Sequence, residues 1–141
     1  MGKFLVDTNV VSEMMNPRMH PAVQRWLDGM EAAHLFLAST SLAELRFGVA
    51  ALPTGQRKAN LNSTLDYLLA SLFQRRILAF DVEAAERFGE ILSRAQRKGR
   101  RIEMADGQIA AVAAVHGFAV ATRDTGPFEA AEVAVVNPWV A

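Results

Sequence analysis

Four acidic residues stand at positions where a metal-binding pocket would need them. Asp7 directly follows a short apolar run, and Asp124 closely follows another. Glu44 and Asp106 each lie in the early turns of a segment with helical periodicity. Clustered carboxylates repel one another and take up protons unless a cation neutralises them. We therefore expect the four to form one anionic site if the fold brings them together.

The chemistry of such a site follows from its oxygen ligands. Carboxylate oxygens favour Mg²⁺ or Mn²⁺ over zinc. An ion of this kind keeps several of its waters, binds a phosphate oxygen and activates water as a nucleophile. The four acids therefore predict a metal-dependent enzyme that hydrolyses phosphodiester bonds.

Each acid also has a purely structural interpretation. Asp7 precedes a helix and would serve as its N-cap. Glu44 stands three residues after Ser41, which is the spacing of a capping box. Asp106 is an early-turn carboxylate that the helix dipole favours, and Asp124 lies in a turn-like stretch where Asp bonds to its own backbone. Residue types alone leave both interpretations open.

The elements that would position these acids alternate between strands and helices. The predicted strands cover residues 3–6, 34–39, 77–80, 118–122 and 133–136. The predicted helices cover residues 8–15, 21–28, 41–52, 56–73, 82–98 and 103–116. This alternation predicts an α/β fold with a central, mostly parallel sheet of about five strands flanked by helices. Ligands of such sheets sit outside the C-terminal ends of the strands, which is where the four acids are expected.

Length and composition point to one cytoplasmic domain. The 141 residues suit a single domain over residues 1–141, and 51% hydrophobic residues supply its core. The absence of cysteine excludes disulfides and cysteine zinc sites. The N-terminal apolar run is too short for a signal peptide, and no run reaches the roughly 18 residues of a membrane span. We therefore expect a cytoplasmic protein without membrane contact.

Charge is balanced overall but not along the chain. The formal net charge is zero, which is less basic than is usual for a protein that binds nucleic acid. Four cations nevertheless cluster shortly before the third acid, namely Arg97, Lys98, Arg100 and Arg101. This basic run is interpreted either as solvated surface or as a phosphate-binding lip that contacts RNA beside the acidic site. The pair Arg75–Arg76 is a candidate extension of that lip.

The aromatic residues and histidines add no site of their own. The three histidines show no metal-ligand spacing and have no acidic partner nearby in sequence. Trp26 and Trp139 lie on apolar patterns, which favours a place in the core or in an interface over a functional role.

Four stretches of the sequence together resemble the blocks of PIN-domain nucleases of the VapC family. They are FLVDTNVVSE at 4–13, SLAELRFG at 41–48, ADGQIAA at 105–111 and ATRDTGPF at 121–128. The C-terminal stretch 133–139, which ends in Asn-Pro-Trp, resembles the FitB branch of that family in particular. The resemblance runs nearly end to end and keeps the family's block order.

This resemblance implies a PIN-like fold and a ribonuclease that depends on Mg²⁺ or Mn²⁺. It also implies a homodimer that acts as the toxin of a type II toxin–antitoxin pair. Its partner would be a small, DNA-binding antitoxin that inhibits it, and the toxin would meet operator DNA only through that antitoxin.

Carried over residue by residue, the resemblance makes Asp7 and Asp106 the core metal ligands. Glu44 and Asp124 would complete the catalytic pocket, directly or through water, and Asp124 would be a third metal ligand. Many relatives carry Asn where Asp124 stands and place their acid slightly later. This chain has Gly and Pro at those later positions, so only Asp124 can take that role.

Three polar residues match the supporting positions of the family. Thr8, Asn9 and Thr122 would orient the carboxylates. Asn9 also argues against a haloacid-dehalogenase-type phosphatase, which needs a second Asp two residues after the first. The other alternative is a non-catalytic PIN-like module that binds an antitoxin and supports its binding to operator DNA. That module would suit the neutral net charge but would leave the four acids without a role.

Overall fold

Short apolar runs form the strands of a parallel sheet. In the computed structural model, which describes residues 2–141, they are β1 (Phe4–Val6), β2 (Leu35–Ala38), β3 (Ile77–Leu78), β4 (Ala119–Ala121) and β5 (Val135–Val136). Within the described residues the strand order is β3-β2-β1-β4-β5, and each neighbouring pair is parallel. The predicted α/β class and the five-stranded sheet are confirmed.

Helices connect the strands and cover both faces of the sheet. They are α1 (Thr8–Met14), α2 (Pro21–Asp28), α3 (Ser39–Ala50), α4 (Gln56–Ser71), α5 (Val82–Arg97), α6 (Met104–His116) and α7 (Gly126–Ala130). A 3₁₀ turn, Ala32–His34, precedes β2. No helix in residues 2–141 combines the length and apolar character needed to cross a membrane.

Successive residues of a strand point to opposite faces, and the central strand shows this most clearly. Leu5 of β1 packs into one buried cluster with α5, α6 and α7. Its neighbour Val6 packs into a second cluster with α1, α2, α3 and α4. A parallel sheet buried on both faces in this way explains why its strands are continuous apolar runs rather than alternating ones.

Helix α3 begins two residues earlier than the sequence predicts. It starts at Ser39, and its N-cap Ala38 makes no side-chain capping bond. Ser41 therefore lies inside the first turn, where its Oγ is buried and has no hydrogen-bond partner among the described residues. The capping-box interpretation of Glu44 is wrong, which frees that side chain for another contact.

Helix α7 is absent from the predicted elements because Gly126 and Pro127 are typical turn residues. Pro127 lies in its first turn, where a missing backbone N–H costs nothing because those N–H groups have no partner within the helix. Phe128 follows and is fully buried in the cluster beside α6. The turn-like sequence thus begins a short helix that is held by one aromatic anchor.

Candidate active site

The four predicted acids line one cleft of about 490 Å³ at the C-terminal edge of the sheet. Asp7 follows β1 directly, and Asp124 comes three residues after β4. Asp106 lies in the first turn of α6, and Glu44 reaches the cleft from the second turn of α3. The parallel strand order places these elements side by side, so residues 117 positions apart meet in space.

Asp7 is held by hydrogen bonds to both of its carboxylate oxygens. Oδ1 accepts the backbone N–H of Thr8 at 2.8 Å, which makes Asp7 the N-cap of α1. Oδ2 accepts the hydroxyl of Thr122 at 2.8 Å. The structural and functional interpretations of this residue are therefore compatible, because the cap also fixes the carboxylate at the cleft.

Thr122 is buried and organises the acids that flank it. Besides donating to Asp7, its Oγ1 accepts the Asn9 side-chain amide at 3.1 Å and the Asp124 backbone N–H at 3.1 Å. The Asn9 carbonyl oxygen in turn accepts the Arg123 backbone N–H at 3.2 Å. The loop after β4 is thus tied to the start of α1, and Asn9 acts as a support rather than as a proton donor to substrate.

Glu44 is exposed and is oriented by a residue from another helix. Its Oε1 accepts the Thr8 hydroxyl at 2.8 Å across a sequence separation of 36. This contact joins α1 to α3 at the mouth of the cleft. All three predicted supporting residues, Thr8, Asn9 and Thr122, therefore form hydrogen bonds within the acidic site.

Burial and mutual repulsion raise the proton affinity of the two inner acids. Burial is the main cause that raises the pKa of Asp106 to about 6, and the charges of Asp7, Asp124 and Glu44 add to it. Burial also raises the pKa of Asp7, opposed by the hydrogen bonds from Thr122 and Thr8. Such perturbed carboxyls in a cleft are typical of functional sites.

The donor set suits a hydrated magnesium-type ion. The cleft offers carboxylate and hydroxyl oxygens, which are the ligands that hard cations prefer. Within residues 2–141, no three His, Asp or Glu side chains are arranged to hold an ion by themselves. Mg²⁺ does not need three, because it keeps several waters and binds proteins through one or two carboxylates. The acids therefore fit an ion that is held largely through water.

The basic run lies outside the residues that line the cleft, and its four members have different surroundings. Arg97 donates to a serine one turn earlier in α5, and Lys98 pairs with Glu132 at 3.3 Å. Arg100 donates to the backbone carbonyl of the first residue of α7, close to the loop of the acidic site. The side chain of Arg101 is 88% exposed. Contact with RNA remains a prediction for these residues.

The extension of this run to Arg75 and Arg76 is wrong. The Arg76 guanidinium donates to the carbonyl oxygens of Ala32, Leu35 and Leu72, so it holds α4 against the start of β2. Leu35 begins β2, which places this pair at the N-terminal edge of the sheet, opposite the cleft. The role of Arg76 is to satisfy backbone carbonyls.

Four residues that line the cleft were not predicted as functional from the sequence, namely Ser12, Glu13, Arg123 and Trp139. Trp139 lines the cleft, although the apolar pattern assigned it to the core or an interface. Arg123 lines it as well, and its guanidinium carbon lies 5.1 Å from the centre of the Trp139 ring. A signal was present, because Arg123 stands between Thr122 and Asp124, yet nothing local shows that the C-terminal Trp139 meets that loop.

Comparisons with known proteins agree with this geometry. The sequence profile of the PIN domain matches residues 4–133. The chain is 46% identical to the toxin FitB of Neisseria gonorrhoeae over 96% of its length and 97% of that protein. It is 42% identical to a VapC ribonuclease of Sinorhizobium fredii over 96% of each. A solved structure of FitAB bound to a DNA fragment matches with a TM-score of 0.90 and 44% identity, covering 96% of this chain and 95% of that one.

Proposed function

The chain belongs to the PIN-domain family, and from this premise we propose that it is a metal-dependent endoribonuclease that serves as the toxin of a toxin–antitoxin pair. Relatives of nearly equal length are named as a VapC ribonuclease and as the toxin FitB. The alternative of a non-catalytic module leaves the acidic cleft unexplained.

One observation carries the catalytic part of the proposal. The four predicted carboxylates come from separate parts of the chain and line a single cleft, which Glu13 of α1 lines as well. Burial together with mutual repulsion raises the pKa values of Asp7 and Asp106. A fold gains no stability from such an arrangement, since each added charge raises the cost of ionising the others. A bound cation removes that cost, which supports a metal site.

The residues take the following parts in this proposal. Asp7 and Asp106 hold the divalent ion, and Asp124 is a further ligand through one of the ion's waters. Thr122 fixes the Asp7 carboxylate through Oδ2. Glu44 is the proposed general base: Thr8 donates to its Oε1 at 2.8 Å, and its other oxygen, Oε2, would accept a proton from the attacking water.

Mg²⁺ or Mn²⁺ bound here would neutralise the charge that develops on the phosphate and would lower the pKa of water. The protein itself holds the metal-binding carboxylates in position before the ion and the substrate bind. The cap on Asp7 and the hydroxyl of Thr122 hold the carboxylate in one orientation before any substrate arrives. This positioning replaces the reorganisation that free carboxylates would need in water.

The partner of this chain is proposed to be a small antitoxin that binds DNA. FitAB, whose solved structure this chain resembles at 44% identity, is described as bound to a DNA fragment. The chain itself has zero formal net charge, which is unlike a protein that holds DNA directly. We propose that it reaches operator DNA only through the antitoxin, that it forms a homodimer, and that it works in the cytoplasm.

Cleavage of RNA by the purified chain tests the proposal. The wild type should cut single-stranded RNA in Mg²⁺ or Mn²⁺ and should stop in a chelator. Asp106→Asn should lower the rate by at least about a hundredfold, because even residues behind a metal ligand cost up to that much. Adding the protein encoded next to this gene should suppress cleavage by the wild type.

Glu90→Gln is the matched control. Glu90 is an exposed acid on α5 and lies outside the cleft. Its loss should leave cleavage unchanged. Equal activity of Asp106→Asn and the wild type would contradict the catalytic role of Asp106 and would favour the non-catalytic alternative.

A further inference from the structure

Arg123 is a cation beside an acidic cleft that the acids do not neutralise. It lines the cleft together with Asp7, Glu44, Asp106 and Asp124. Within residues 2–141 its guanidinium forms no ion pair with any of them and donates no hydrogen bond to a protein acceptor. Five N–H donors at the mouth of the cleft are therefore free for another partner.

Trp139 explains why Arg123 does not fold down onto the acids. The guanidinium lies over the Trp139 ring, with 5.1 Å between the guanidinium carbon and the ring centre. The backbone of each residue is held as well, since the Arg123 N–H donates to Asn9 and the Trp139 N–H donates to Asn137. The ring packs against the apolar cluster that contains Val6 and Val10. The Trp139 ring thus holds the Arg123 guanidinium beside the cleft through a cation–π contact.

We propose that Arg123 binds a phosphate of the RNA at the mouth of the cleft and that Trp139 is the positioning residue that holds it there. The carboxylates that line the cleft outnumber the charges of one divalent ion, so the cleft still repels an RNA backbone unless a side-chain cation meets one of its phosphates. Arginine suits this task because its planar fork binds phosphate through two parallel N–H groups while its face stacks on an aromatic ring. No other cation lines the cleft within the described residues.

The inference rests on the proposed ribonuclease function and is tested by binding rather than by cleavage. The probe is a short, labelled, single-stranded RNA of mixed sequence, titrated at several salt concentrations in Mg²⁺. All variants carry Asp106→Asn so that the RNA is not cut. Arg123→Ala should raise Kd about tenfold, and it should reduce the logarithmic salt slope by about 0.7, the share of one phosphate contact. Arg25→Ala, at an exposed cation on α2, is the matched control and should change neither value.

The positioning role of Trp139 is tested by comparing an aromatic with an aliphatic replacement. If the ring only filled space in the core, both replacements would bind RNA equally well. Trp139→Phe keeps an aromatic face and should hold Kd within about twofold, whereas Trp139→Leu should approach the Kd of Arg123→Ala. The double variant Arg123→Ala/Trp139→Leu should bind no more weakly than Arg123→Ala alone, because the ring acts through the guanidinium. Equal Kd for the Phe and Leu variants, at whatever melting temperature, would overturn the positioning role.

The outcomes separate this inference from the function on which it rests. If the wild type cuts RNA and Arg123→Ala binds with the same salt slope as Arg25→Ala, the phosphate assignment is wrong and the ribonuclease function stands. If the wild type neither binds nor cuts RNA, both are wrong. In the cleaving protein, Arg123→Ala should raise KM more than it lowers kcat, since a phosphate away from the reacting bond contributes mainly to binding.

Discussion

Asp7 uses both carboxylate oxygens as acceptors, so its usual neutral substitute does not fit. Oδ1 accepts the Thr8 N–H and Oδ2 accepts the Thr122 hydroxyl. Asparagine in either orientation turns an NH₂ donor toward one of these two donors. The Thr122 oxygen cannot easily compensate, because it already accepts from Asn9 and from the Asp124 N–H. Within residues 2–141, the Asp106 carboxylate accepts no comparable pair of hydrogen bonds.

Asp7→Asn should therefore be less stable than Asp106→Asn, by about 1–3 kcal/mol, the cost of a buried donor without an acceptor. Urea unfolding of both variants in a chelator measures the difference. Equal stabilities would mean that Thr122 rotates freely and that the hydrogen bonds around Asp7 are not a constraint.

The raised pKa of Asp106 predicts an inverse dependence of stability on pH. Its pKa is about 6 in the folded chain against an ordinary value of 3.8. Between these values the folded chain holds more protons than the unfolded chain, so the free energy of unfolding falls as the pH rises from about 4 to about 6. The raised pKa of Asp7 acts in the same direction.

In a chelator, Asp106→Asn should match the wild type near pH 4 and exceed it by about 1 kcal/mol at neutral pH. The gain is modest because solvent screens this partly buried carboxyl. Saturating Mg²⁺ should reverse the order, since an ion that binds only the folded wild type stabilises it. A stability advantage of Asp106→Asn over the wild type that stays constant or shrinks from pH 4 to pH 7 in the chelator would contradict the sign.

At the scale of elements, the position of Asp106 depends on how closely α6 approaches α5. Gly107 follows Asp106 and is buried at the contact. A Cβ atom there would lie 2.6 Å from Leu92 Cδ1 and 2.9 Å from Phe88 Cε2. An alanine here must displace the side chains of Leu92 and Phe88 or move α6, so the closeness of the helices, and not an unusual backbone angle, favours glycine.

Gly107→Ala should destabilise the protein by about 1–3 kcal/mol, because Leu92 and Phe88 must repack or α6 must shift. A shift of α6 carries Asp106 with it, so RNA cleavage should fall as well. The matched control is Gly89→Ala in α5, where an added Cβ meets no atom within 4 Å. That variant should be more stable than the wild type by about 0.5–1 kcal/mol. Equal melting temperatures for the two alanine variants would show that a Cβ atom at position 107 fits between α5 and α6 without cost.

At the scale of the whole molecule, the net charge is zero, yet the four cations of the basic run differ in how closely they are bound by neighbouring groups. Arg97 and Lys98 are engaged by Ser93 and Glu132. The hydrogen bond from Lys98 is the main cause that lowers the pKa of Glu132. Arg100 and Arg101 come after α5 and lead toward α6, the helix that carries Asp106.

Replacing Arg100 and Arg101 with Ser should reduce the logarithmic salt slope of RNA binding by about 0.7 per lost phosphate contact. Replacing Arg97 and Lys98 should change the slope much less, since their contacts with Ser93 at 2.7 Å and Glu132 at 3.3 Å are closer. Arg101 lies 4.0 Å from its acidic partner, and Arg100 donates only to a neutral backbone carbonyl at 3.3 Å. Salt titrations of RNA binding by the two double variants, both in the Asp106→Asn background, show which pair of cations contacts phosphate. An unchanged salt slope in both double variants would mean that the basic run is solvated surface and does not contact RNA.

The sequence alone predicts the features that depend on neighbours along the chain. Apolar runs, helical periodicity and the residues just after each strand determine the α/β class and place Asp7 and Asp124 at strand ends. Parallel pairing then requires those ends to share one edge, so the expected meeting of the acids follows from topology. These inferences hold because strand and helix signals are local.

Contacts between distant segments were decided only by the tertiary structure. The bond from Thr8 to Glu44 crosses 36 residues, and that from Thr122 to Asp7 crosses 115. Ser41 was mistaken for a cap because the capping pattern is local, whereas α3 continues directly from the end of β2. Trp139 meets Arg123 only because β5 pairs with β4 and brings the C-terminal segment back to the cleft. Side chains of this kind acquire their partners from strand order and packing, which no local pattern encodes.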